Sequence, residues 1–463
     1  MEAMNRDHIL NILNKQRTFF RSGGTLDLDF RVTQLKRLYD KVVELEDAIK
    51  EALYKDLGKS DFESKMTEIG PVLDEIVLHG KKLKKWADRR SVSTPFSLFP
   101  AQSFIEKEPL GNVLIISPWN YPFNLAMMPL IGAISAGNTV ILKPSEYAPH
   151  TSALIKRIIE DLYPPYHIAV VEGASEVSQA LLEEKFDLIF FTGSSHIAKI
   201  VMEKAAKNLT PVILELGGKS PVIVDETADI KLAAKRVAFG KVLNAGQTCV
   251  APDYVLVHKK VKVDFMREYV EALKSFFKKR NHSQLPRIIN EGHFKRLVEL
   301  IDEEKIMYGG EIDEAKLKIM PTVIEETDVN SPIMSQEIFG PILPVLTYED
   351  LGDCERLINS GDKPLALYLF TKDEEVEKRI LKNIHFGGGC INDTVVHLAN
   401  SKLPFGGVGA SGMGAYHGKA SFDAFSHSKS ILKKSNFFDL NVRYHPYTKM
   451  KEKLLNIIYD KKY

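Results

Sequence analysis

The sequence has few cysteines and almost no net charge. Its three cysteines, Cys249, Cys354 and Cys390, show no C-x-x-C spacing and no Cys/His cluster typical of a zinc site. A low, odd cysteine count is typical of a reducing compartment, so we expect a cytoplasmic protein. The formal net charge of +1 lacks the basic excess usual in nucleic-acid-binding proteins, and no nucleic-acid partner is expected.

Long apolar runs are also absent. No stretch reaches the roughly 18 uninterrupted apolar residues of a transmembrane helix, and the first residues do not read as a signal peptide. We therefore predict no membrane anchor. The lysine-rich tail from Ser430 is interpreted as a solvated terminus, in preference to a segment that contacts an acidic membrane.

The chain contains the apolar periodicities of an α/β protein. Apolar residues recur at three- and four-residue steps from Leu35 to Leu53, which predicts an amphipathic helix that ends at Gly58. Further along, short apolar runs alternate with longer helical segments, and such alternation predicts a parallel sheet covered on both faces. The runs lie at residues 113–116, 139–142, 168–171 and 188–191.

A second alternating region begins near Pro211 and predicts a second α/β unit. Its predicted strands are at 222–224, 254–257 and 366–370, and its predicted helices are at 261–277 and 374–384. Polar motifs follow several of the predicted strands. Parallel sheets bind ligands at the carboxyl ends of their strands, which makes these motifs candidates for function.

Cys249 lies in the polar segment NAGQTCVAP, residues 244–252. A lone cysteine is usually a small core residue. Here Gly246 and Pro252 bracket the thiol with turn-forming residues, which favours a reactive position over a purely structural one. If Cys249 is a nucleophile, either its pKa is depressed or a base assists it. The other two cysteines are predicted to be structural.

Glu215 directly follows the apolar run 212–214, which places it at a predicted strand end. Two interpretations remain open. The carboxylate either forms an ion pair with Lys219 or caps a helix, or it is partly buried, so that desolvation raises its pKa. A carboxyl with a raised pKa is suited to general-base catalysis near neutral pH.

Asn120 lies in the motif PWNYP, residues 118–122, just after the strand predicted at 113–116. The two prolines restrict the local backbone. The motif is either a tight turn or a rigid support for a side-chain amide, which is the kind of donor that an oxyanion hole needs.

Two further segments follow predicted strands. Lys143 to Glu146, with the sequence KPSE, is either a solvated turn or a ribose-binding pair. Gly193 and Ser194 precede a predicted helix, where free backbone amides make a ready phosphate site. The glycine signal is not specific by itself because the segment is not a GxGxxG motif.

Together these segments resemble the aldehyde dehydrogenase superfamily. The motifs PWNYP, LKPSE, FTGS, LELGGK, GQTC and EIFGP occur in the order typical of that family, from about residue 10 to about residue 430. Glu215 also precedes Cys249 by 34 residues, as the base precedes the nucleophile in the family. LTPVILELGGKSP, GQTCVAPDYV and LPFGGVGASGMGAYHGK are similar to the class 3, or fatty-aldehyde-dehydrogenase-like, branch.

The resemblance implies oxidation of an aldehyde to a carboxylic acid with NAD as cofactor and NADP as the alternative. It implies that Cys249 forms a thiohemiacetal and then a thioester, that Glu215 activates the hydrolytic water, and that Asn120 stabilises the oxyanion. It also implies which residues surround the cofactor: Lys143 and Glu146 at the adenosine ribose, Gly193 and Ser194 at the pyrophosphate, Glu337 and Phe339 at the nicotinamide ribose, and Trp119 and Leu216 along the cleft. No metal is expected.

One position departs from the family pattern. The family usually has a glycine where this chain has Ala198, and that glycine lets the helix approach the cofactor closely. Alanine adds one methyl group, which we expect to be tolerated.

Pattern and resemblance together give an α/β fold, in which a Rossmann-like parallel-sheet cofactor domain precedes a second α/β catalytic domain. The expected bounds are 1–85 and 107–211 for the cofactor-binding domain, 212–400 for the catalytic domain, 86–106 and 425–445 for small oligomerisation or bridging segments, and 446–463 for the tail. The class 3 branch implies a homodimer. Tyr121 and the aromatic residues near the tail either line an apolar tunnel, which would suit medium- or long-chain aliphatic or aromatic aldehydes, or belong to the core.

Three rival functions remain open on the sequence. A thiol acyltransferase or esterase would keep the cysteine without a redox step. CoA-acylating oxidation would replace water by CoA, although the presence of Glu215 argues against it. A non-catalytic binding protein is disfavoured because Cys249, Glu215 and Asn120 are all present.

Overall fold

The computed structural model describes residues 6–278 and 283–459, so the ends of the expected cofactor domain and tail, 1–5 and 460–463, lie outside the described residues. The strands are β1 Arg90–Val92, β2 Ala101–Pro109, β3 Asn112–Ile116, β4 Thr139–Lys143, β5 Ile168–Val170, β6 Leu188–Thr192, β7 Val212–Glu215, β8 Pro221–Val224, β9 Tyr254–His258, β10 Ile306–Tyr308, β11 Ile312–Asp313, β12 Lys318–Ile319, β13 Thr322–Glu325, β14 Ile342–Tyr348, β15 Ala366–Phe370, β16 Gly388–Ile391, β17 Gly412–Met413 and β18 Ser426–Lys434.

The α-helices cover the sheets and connect their strands. They are α1 Arg6–Arg21, α2 Leu28–Glu44, α3 Glu46–Leu57, α4 Asp61–Ser64, α5 Gly70–Ala87, α6 Asn124–Ala136, α7 Pro149–Leu162, α8 Ser175–Leu182, α9 Ser195–Ala206, α10 Ile230–Val242, α11 Lys262–Phe276, α12 Glu291–Glu299, α13 Pro332–Ser335, α14 Leu351–Ser360, α15 Glu374–Asn383, α16 Lys419–Ala424 and α17 Lys449–Tyr459. None of these described helices is long and apolar enough to cross a membrane.

The first sheet has the strand order β17-β7-β6-β3-β4-β5, and its strands are parallel except for β17. Alternate residues of β3 enter different cores, as the strand period of two requires. Val113 and Ile115 pack with helices α2, α5, α6 and α7, whereas Leu114 and Ile116 pack with α1, α8 and α9. The predicted parallel sheet with both faces covered is confirmed.

The second sheet has the order β10-β13-β14-β9-β8-β15-β16, with β10 as its antiparallel edge strand. Its other strands are parallel. The α/β prediction for this region is confirmed as well. The strand predicted at 366–370 has the observed bounds, and the other predicted elements differ from the observed ones by one residue or so at their ends.

The two sheets do not divide where the sequence placed the boundary. Residues 212–215 were expected to open the second unit, but β7 pairs with β6 in the first sheet. The next strand, β8, belongs to the second sheet. Because no helix separates β7 from β8, the alternation of elements carries no sign that the two strands lie in different sheets. The run of parallel strands of the first sheet therefore ends at Glu215, and only the antiparallel strand β17 joins that sheet later in the chain.

The amphipathic helix predicted up to Gly58 is interrupted. Two helices, α2 and α3, flank a break at Leu45, and α3 ends as predicted at Gly58, which has a φ of 68°. Leu38 and Leu53, on either side of the break, are buried in the same core. The apolar periodicity continues through Leu45, which is why it does not reveal the break.

A separate sheet of three strands joins the two segments that were expected to bridge or oligomerise. Its order is β1-β2-β18, and β2 pairs with β18 along nine antiparallel residue pairs. Asn138, just after α6, links this three-stranded sheet to the first sheet. Its side chain accepts from the amide of Gly111 at 2.9 Å and donates to the carbonyl of Phe425 at 2.9 Å.

Candidate active site

The residues singled out from the sequence collect at one edge of the first sheet. Strands β7, β6, β3 and β4 are adjacent and parallel, so their carboxyl ends lie side by side. Ligands of parallel sheets bind at this edge. The candidates follow these four strands in order: Glu215 and Leu216, then Gly193 and Ser194, then Trp119 and Asn120, then Lys143 and Glu146.

Cys249 comes from a loop of unusual backbone geometry, the thiol loop (residues 244–252). Asn244, Ala245 and Gly246 have positive φ angles of 50°, 52° and 74°. Such angles strain residues that carry a Cβ and cluster at functional sites. The side chain of Gln247 braces the loop by donating to the carbonyls of Asn244 and Arg287 and accepting from the amide of Ile289, at 3.0–3.1 Å.

The thiol of Cys249 is protonated at rest. Burial, followed by the carboxyls of Glu337 and Glu215, raises its pKa to about 12, against the lowering effect of the amides of Cys249 and Val250. Of the two possibilities that the sequence left open, a depressed thiol pKa and assistance by a base, the structure therefore supports assistance.

Glu215 is only 2% exposed at the end of β7. Neither carboxyl oxygen has a hydrogen-bond partner within residues 6–278 and 283–459. The ion pair with Lys219 is not formed, because Lys219 pairs with Asp253. Burial raises the pKa of Glu215 well above its ordinary value, so the carboxyl stays neutral until the pH exceeds this raised pKa. A buried, unpaired carboxyl in a cleft is a functional candidate.

Asn120 connects the first sheet to the thiol loop. Its side-chain nitrogen donates to the carbonyl of Gln247 at 3.1 Å, and its own carbonyl accepts from the Asn244 side chain at 2.7 Å. The neighbouring hydroxyl of Tyr121 lies 2.6 Å from Thr248 Oγ1. An amide nitrogen carries two hydrogens, and only one of those of Asn120 has a partner among the described residues. Tyr121 is buried in this packed contact.

Glu337 is held against the glycines that follow Glu215. A Cβ at Gly217 would lie 2.2 Å from Glu337 Oε2, so a side chain there would require the Glu337 carboxyl to move. Burial, followed by nearby Asp253, raises the pKa of Glu337 to about 8, against the lowering effect of the Gly218 amide, Lys219 and Arg296.

Two cations fix the loop that carries Glu337. Lys219 donates to the carbonyls of Ile333 and Gln336 at 3.0 and 2.8 Å. Arg296 donates to the carbonyl of Ile338 at 2.7 Å. Trp119 and Phe339 meet edge to face with their ring centroids 5.4 Å apart, and Leu216 is buried nearby in the core of the first sheet.

The remaining candidates lie on β4 and at the start of α9. Lys143 is 3% exposed and its Nζ lies 2.6 Å from Glu146 Oε2, so the solvated-turn interpretation is wrong for the lysine. The Gly193 amide donates to the carbonyl of Glu215 at 3.0 Å, and Ser194 caps α9. Ala198 is 2% exposed, and its methyl group packs in the core with Val201 and Leu214.

The other two cysteines differ in environment. Cys354 is fully buried in α14, as the structural interpretation expects. Cys390 is half-buried, with its sulfur 3.5 Å from Nδ1 of His397. All three cysteines are free thiols. Within the part of the chain that the structure describes, no group of three or more metal-ligating side chains is arranged to hold a metal ion.

Sequence reasoning missed the charged residues behind the site. Asp253 directly precedes β9, and its position beside a strand is a signal that would have identified it. Lys59, Glu63 and Glu68 also contact the segments that contain Asn120 and Asn244 and the start of α6. They lie in and just before a helical stretch whose charges look like an ordinary solvated face, so the pattern carries no signal for them.

Comparison with known proteins identifies the family. The model of the aldehyde dehydrogenase family matches residues 1–431. The chain belongs to the aldehyde dehydrogenase family. It is 50% identical to 4,4'-diaponeurosporen-aldehyde dehydrogenase of Staphylococcus aureus, covering 95% of this chain and 97% of that protein. It is 44% identical to a mouse protein named aldehyde dehydrogenase, dimeric NADP-preferring, covering 92% and 95%.

A solved structure shows the same fold. The substrate-bound state of Staphylococcus aureus AldH superposes with a TM-score of 0.95 at 48% identity, over 97% of this chain and 99% of that one. The relatives lie in the class 3 branch, as the sequence motifs predicted. This aldehyde dehydrogenase oxidises aldehydes to carboxylic acids with NAD(P) as cofactor. The rival functions considered above are not favoured.

The described residues fit a nicotinamide dinucleotide. The Glu337 carboxyl lies against Gly217, and Gly193 precedes the cap of helix α9 at the carboxyl edge of the sheet. The Lys143–Glu146 pair stands at the carboxyl end of β4 in the same sheet. Ala198 is buried in the core of this sheet.

The approach of Glu337 to Gly217 generates a prediction. Gly217→Ala should displace the Glu337 carboxyl and raise KM for NAD(P) at least about tenfold, because an ångström-scale displacement is enough to disturb binding geometry. Initial rates against cofactor concentration measure this effect. Gly80→Ala is the matched control, since a Cβ at Gly80 meets no atom within 4 Å. Equal KM values in both variants would show that Glu337 does not hold the cofactor.

Proposed function

We propose that Cys249 is the nucleophile, Asn120 the oxyanion donor and Glu215 the hydrolytic base of this aldehyde dehydrogenase. The observation that carries the proposal is the unpartnered, buried carboxyl of Glu215 within electrostatic range of the Cys249 thiol. The amide of Asn120 is docked on the same thiol loop. A nucleophile, an anion-binding donor and a base therefore converge at one edge of the sheet.

In the first step the Cys249 sulfur forms a bond to the aldehyde carbon as a water molecule accepts the thiol proton. The carbonyl π electrons move to oxygen, and the free N–H of Asn120 and the backbone N–H of Cys249 stabilise the oxyanion. Bound NAD(P)⁺ would supply the acceptor for the hydride of that carbon. Collapse of the oxyanion to a carbonyl leaves a thioester on Cys249.

In the second step Glu215 removes a proton from water. The water oxygen attacks the thioester carbon, the C–S bond breaks, and the carboxylic acid leaves as the Cys249 sulfur recovers a proton. The neutral Glu215 carboxyl has to lose its proton before it can accept one from water, and its raised pKa keeps it a strong base once ionised.

For the cofactor we infer that Lys143 and Glu146 bind the adenosine ribose, Gly193 and Ser194 the pyrophosphate, and Glu337 and Phe339 the nicotinamide ribose, with Trp119 and Leu216 along the cleft. The Glu146 carboxylate favours NAD, because it repels the 2′-phosphate of NADP and pairs with Lys143. The name of the mouse relative supports use of NADP as well.

We further propose that the substrates are apolar aldehydes of medium or long chain, or aromatic ones, and that the protein is a cytoplasmic homodimer. The free cysteines are consistent with a reducing compartment. The name of the mouse relative supports a dimer, and we propose the β1-β2-β18 sheet as its oligomerisation element. The name of the Staphylococcus relative adds 4,4'-diaponeurosporen-aldehyde to the substrates worth testing.

Removal of the nucleophile is the first test. Cys249→Ala should abolish aldehyde-dependent formation of NAD(P)H, followed by absorbance at 340 nm over aldehydes of increasing chain length with each cofactor. Cofactor binding should persist, because Cys249 is not among its proposed ligands. Cys354→Ala, in the buried face of α14, is the control and should remain active. Activity of Cys249→Ala near that of wild type would rule out the assignment.

The raised pKa of Glu215 predicts a pH dependence. Below this pKa the carboxyl is protonated and inactive as a base, so turnover of wild type should rise with pH as Glu215 ionises. Glu215→Gln should lose this pH dependence and about 100-fold in kcat, since general-base catalysis contributes about that much. A burst of NAD(P)H should persist in stopped-flow traces. Normal turnover of Glu215→Gln would mean that another group is the base.

A further inference from the structure

Two irregular loops carry the proposed chemistry, the oxyanion loop (residues 117–123) and the thiol loop defined above. Both loops contact one short stretch, residues 58–69, which connects α3 to α5 and contains a turn of π-helix at Lys65–Ile69. Such turns occur frequently at functional sites. Three charged side chains of this stretch make the contacts: Lys59, Glu63 and Glu68.

Lys59 is completely buried, and each of its contacts is directed at the oxyanion loop or at Glu68. Its Nζ lies 2.5 Å from Glu68 Oε1 and donates to the backbone carbonyl of Asn120 at 3.1 Å. The ammonium also stands 3.9 Å from the ring centroid of Tyr121. Two of the three donors of the ammonium are therefore used in hydrogen bonds, and the charge also lies close to an aromatic ring.

Glu68, equally buried, holds the other end of the oxyanion loop. Its second carboxyl oxygen accepts from the amides of Phe123 and Asn124, at 3.2 and 2.8 Å. These amides open helix α6, where backbone donors have no partner within the helix. The Lys59–Glu68 pair therefore grips the oxyanion loop at Asn120 and again at its junction with α6.

Glu63 extends the same stretch to the thiol loop. Its Oε1 accepts from the amide of Asn244 at 2.7 Å, at the point where the backbone turns to positive φ. Asn244 in turn donates to the carbonyl of Asn120, the atom that also receives Lys59. The carbonyl of Asn120 thus accepts hydrogen bonds from two donors, Lys59 and Asn244.

Net stability does not account for this arrangement. Apolar residues of the same volume often replace a buried ion pair without loss of stability. The contacts indicate a positioning role instead. They are made to the two loops whose relative placement sets the distance between the Asn120 amide and the Cys249 sulfur.

We propose that Lys59 and Glu68, assisted by Glu63, are positioning residues for aldehyde oxidation, which hold the oxyanion donor in register with the nucleophile. This inference rests on the proposed roles of Asn120 and Cys249. The residues do not touch the proposed cofactor ligands, so their effect is confined to the chemical steps.

The test is a double-mutant cycle between Lys59 and Asn120. Asn120→Ala should lower kcat about 100- to 1000-fold, as loss of one oxyanion donor does. Lys59→Met should lower kcat about 10- to 100-fold and leave KM for NAD within about twofold. In the Asn120→Ala background, Lys59→Met should change kcat by less than about threefold, because Lys59 acts through Asn120.

A purely structural role is distinguished by the double variant Lys59→Met/Glu68→Met. Removal of both charges avoids an orphaned buried carboxylate, so its Tm should return close to that of wild type. Positioning predicts that kcat stays low in this folded variant, whereas a structural role predicts that kcat recovers with Tm. The double variant also tests the positioning role if Lys59→Met alone does not fold.

Two controls complete the experiment. Lys305 forms another lysine–glutamate pair, 3.0 Å from the buried Glu326, and this pair does not belong to the two loops. Lys305→Met breaks the pair and should leave kcat unchanged. Glu63→Gln keeps an acceptor for the Asn244 amide and should retain activity that Glu63→Ala loses. Additive losses in the cycle, or recovery of kcat in the double variant, overturn this inference but leave the proposed function intact. Full activity of Asn120→Ala overturns the proposed function and the inference with it.

Discussion

Desolvation of ionisable groups between the two sheets is the constraint on which the rest of the structure depends. Burial is the largest cause of three raised pKa values: that of Glu215, which lies well above its ordinary value, that of Glu337, which is about 8, and that of Cys249, which is about 12. Each of these groups therefore favours its neutral form more than it would in water. A site of this kind depends on prepositioned donors, because water does not compensate for a misplaced one.

The fold supplies that placement from two directions. The carboxyl edge of the first sheet presents Glu215 and Asn120, and the loops that lead into the second sheet present Cys249 and Glu337. The chain passes from one sheet to the other directly after Glu215, through glycines that allow Glu337 to approach. Lysine, arginine and aspartate side chains behind these loops keep them in place, so the neutral groups at the centre are surrounded by charged groups that are already paired.

Much of the fold and the site was predictable, for reasons that particular residues make clear. Glu215, Asn120 and Lys143 each follow an apolar run of strand length, and parallel strands bring their carboxyl ends together. The sheet boundary was not predictable because no helix separates β7 from β8. The break at Leu45 leaves the apolar period intact. The buried Lys59 and Glu68 were missed because a local pattern does not distinguish a charge that folds inward from one that faces solvent.

The central claim is that oxidation passes through an acyl group on Cys249 which Glu215 helps to remove. The most direct measurement is intact-protein mass spectrometry of Glu215→Gln mixed with NAD⁺ and an aldehyde, quenched in acid and followed by peptide mapping. The account predicts a mass increase equal to one acyl group in place of hydrogen, located on the peptide that contains Cys249 and dependent on NAD⁺. No adduct, or an adduct on the peptides of Cys354 or Cys390, would contradict it.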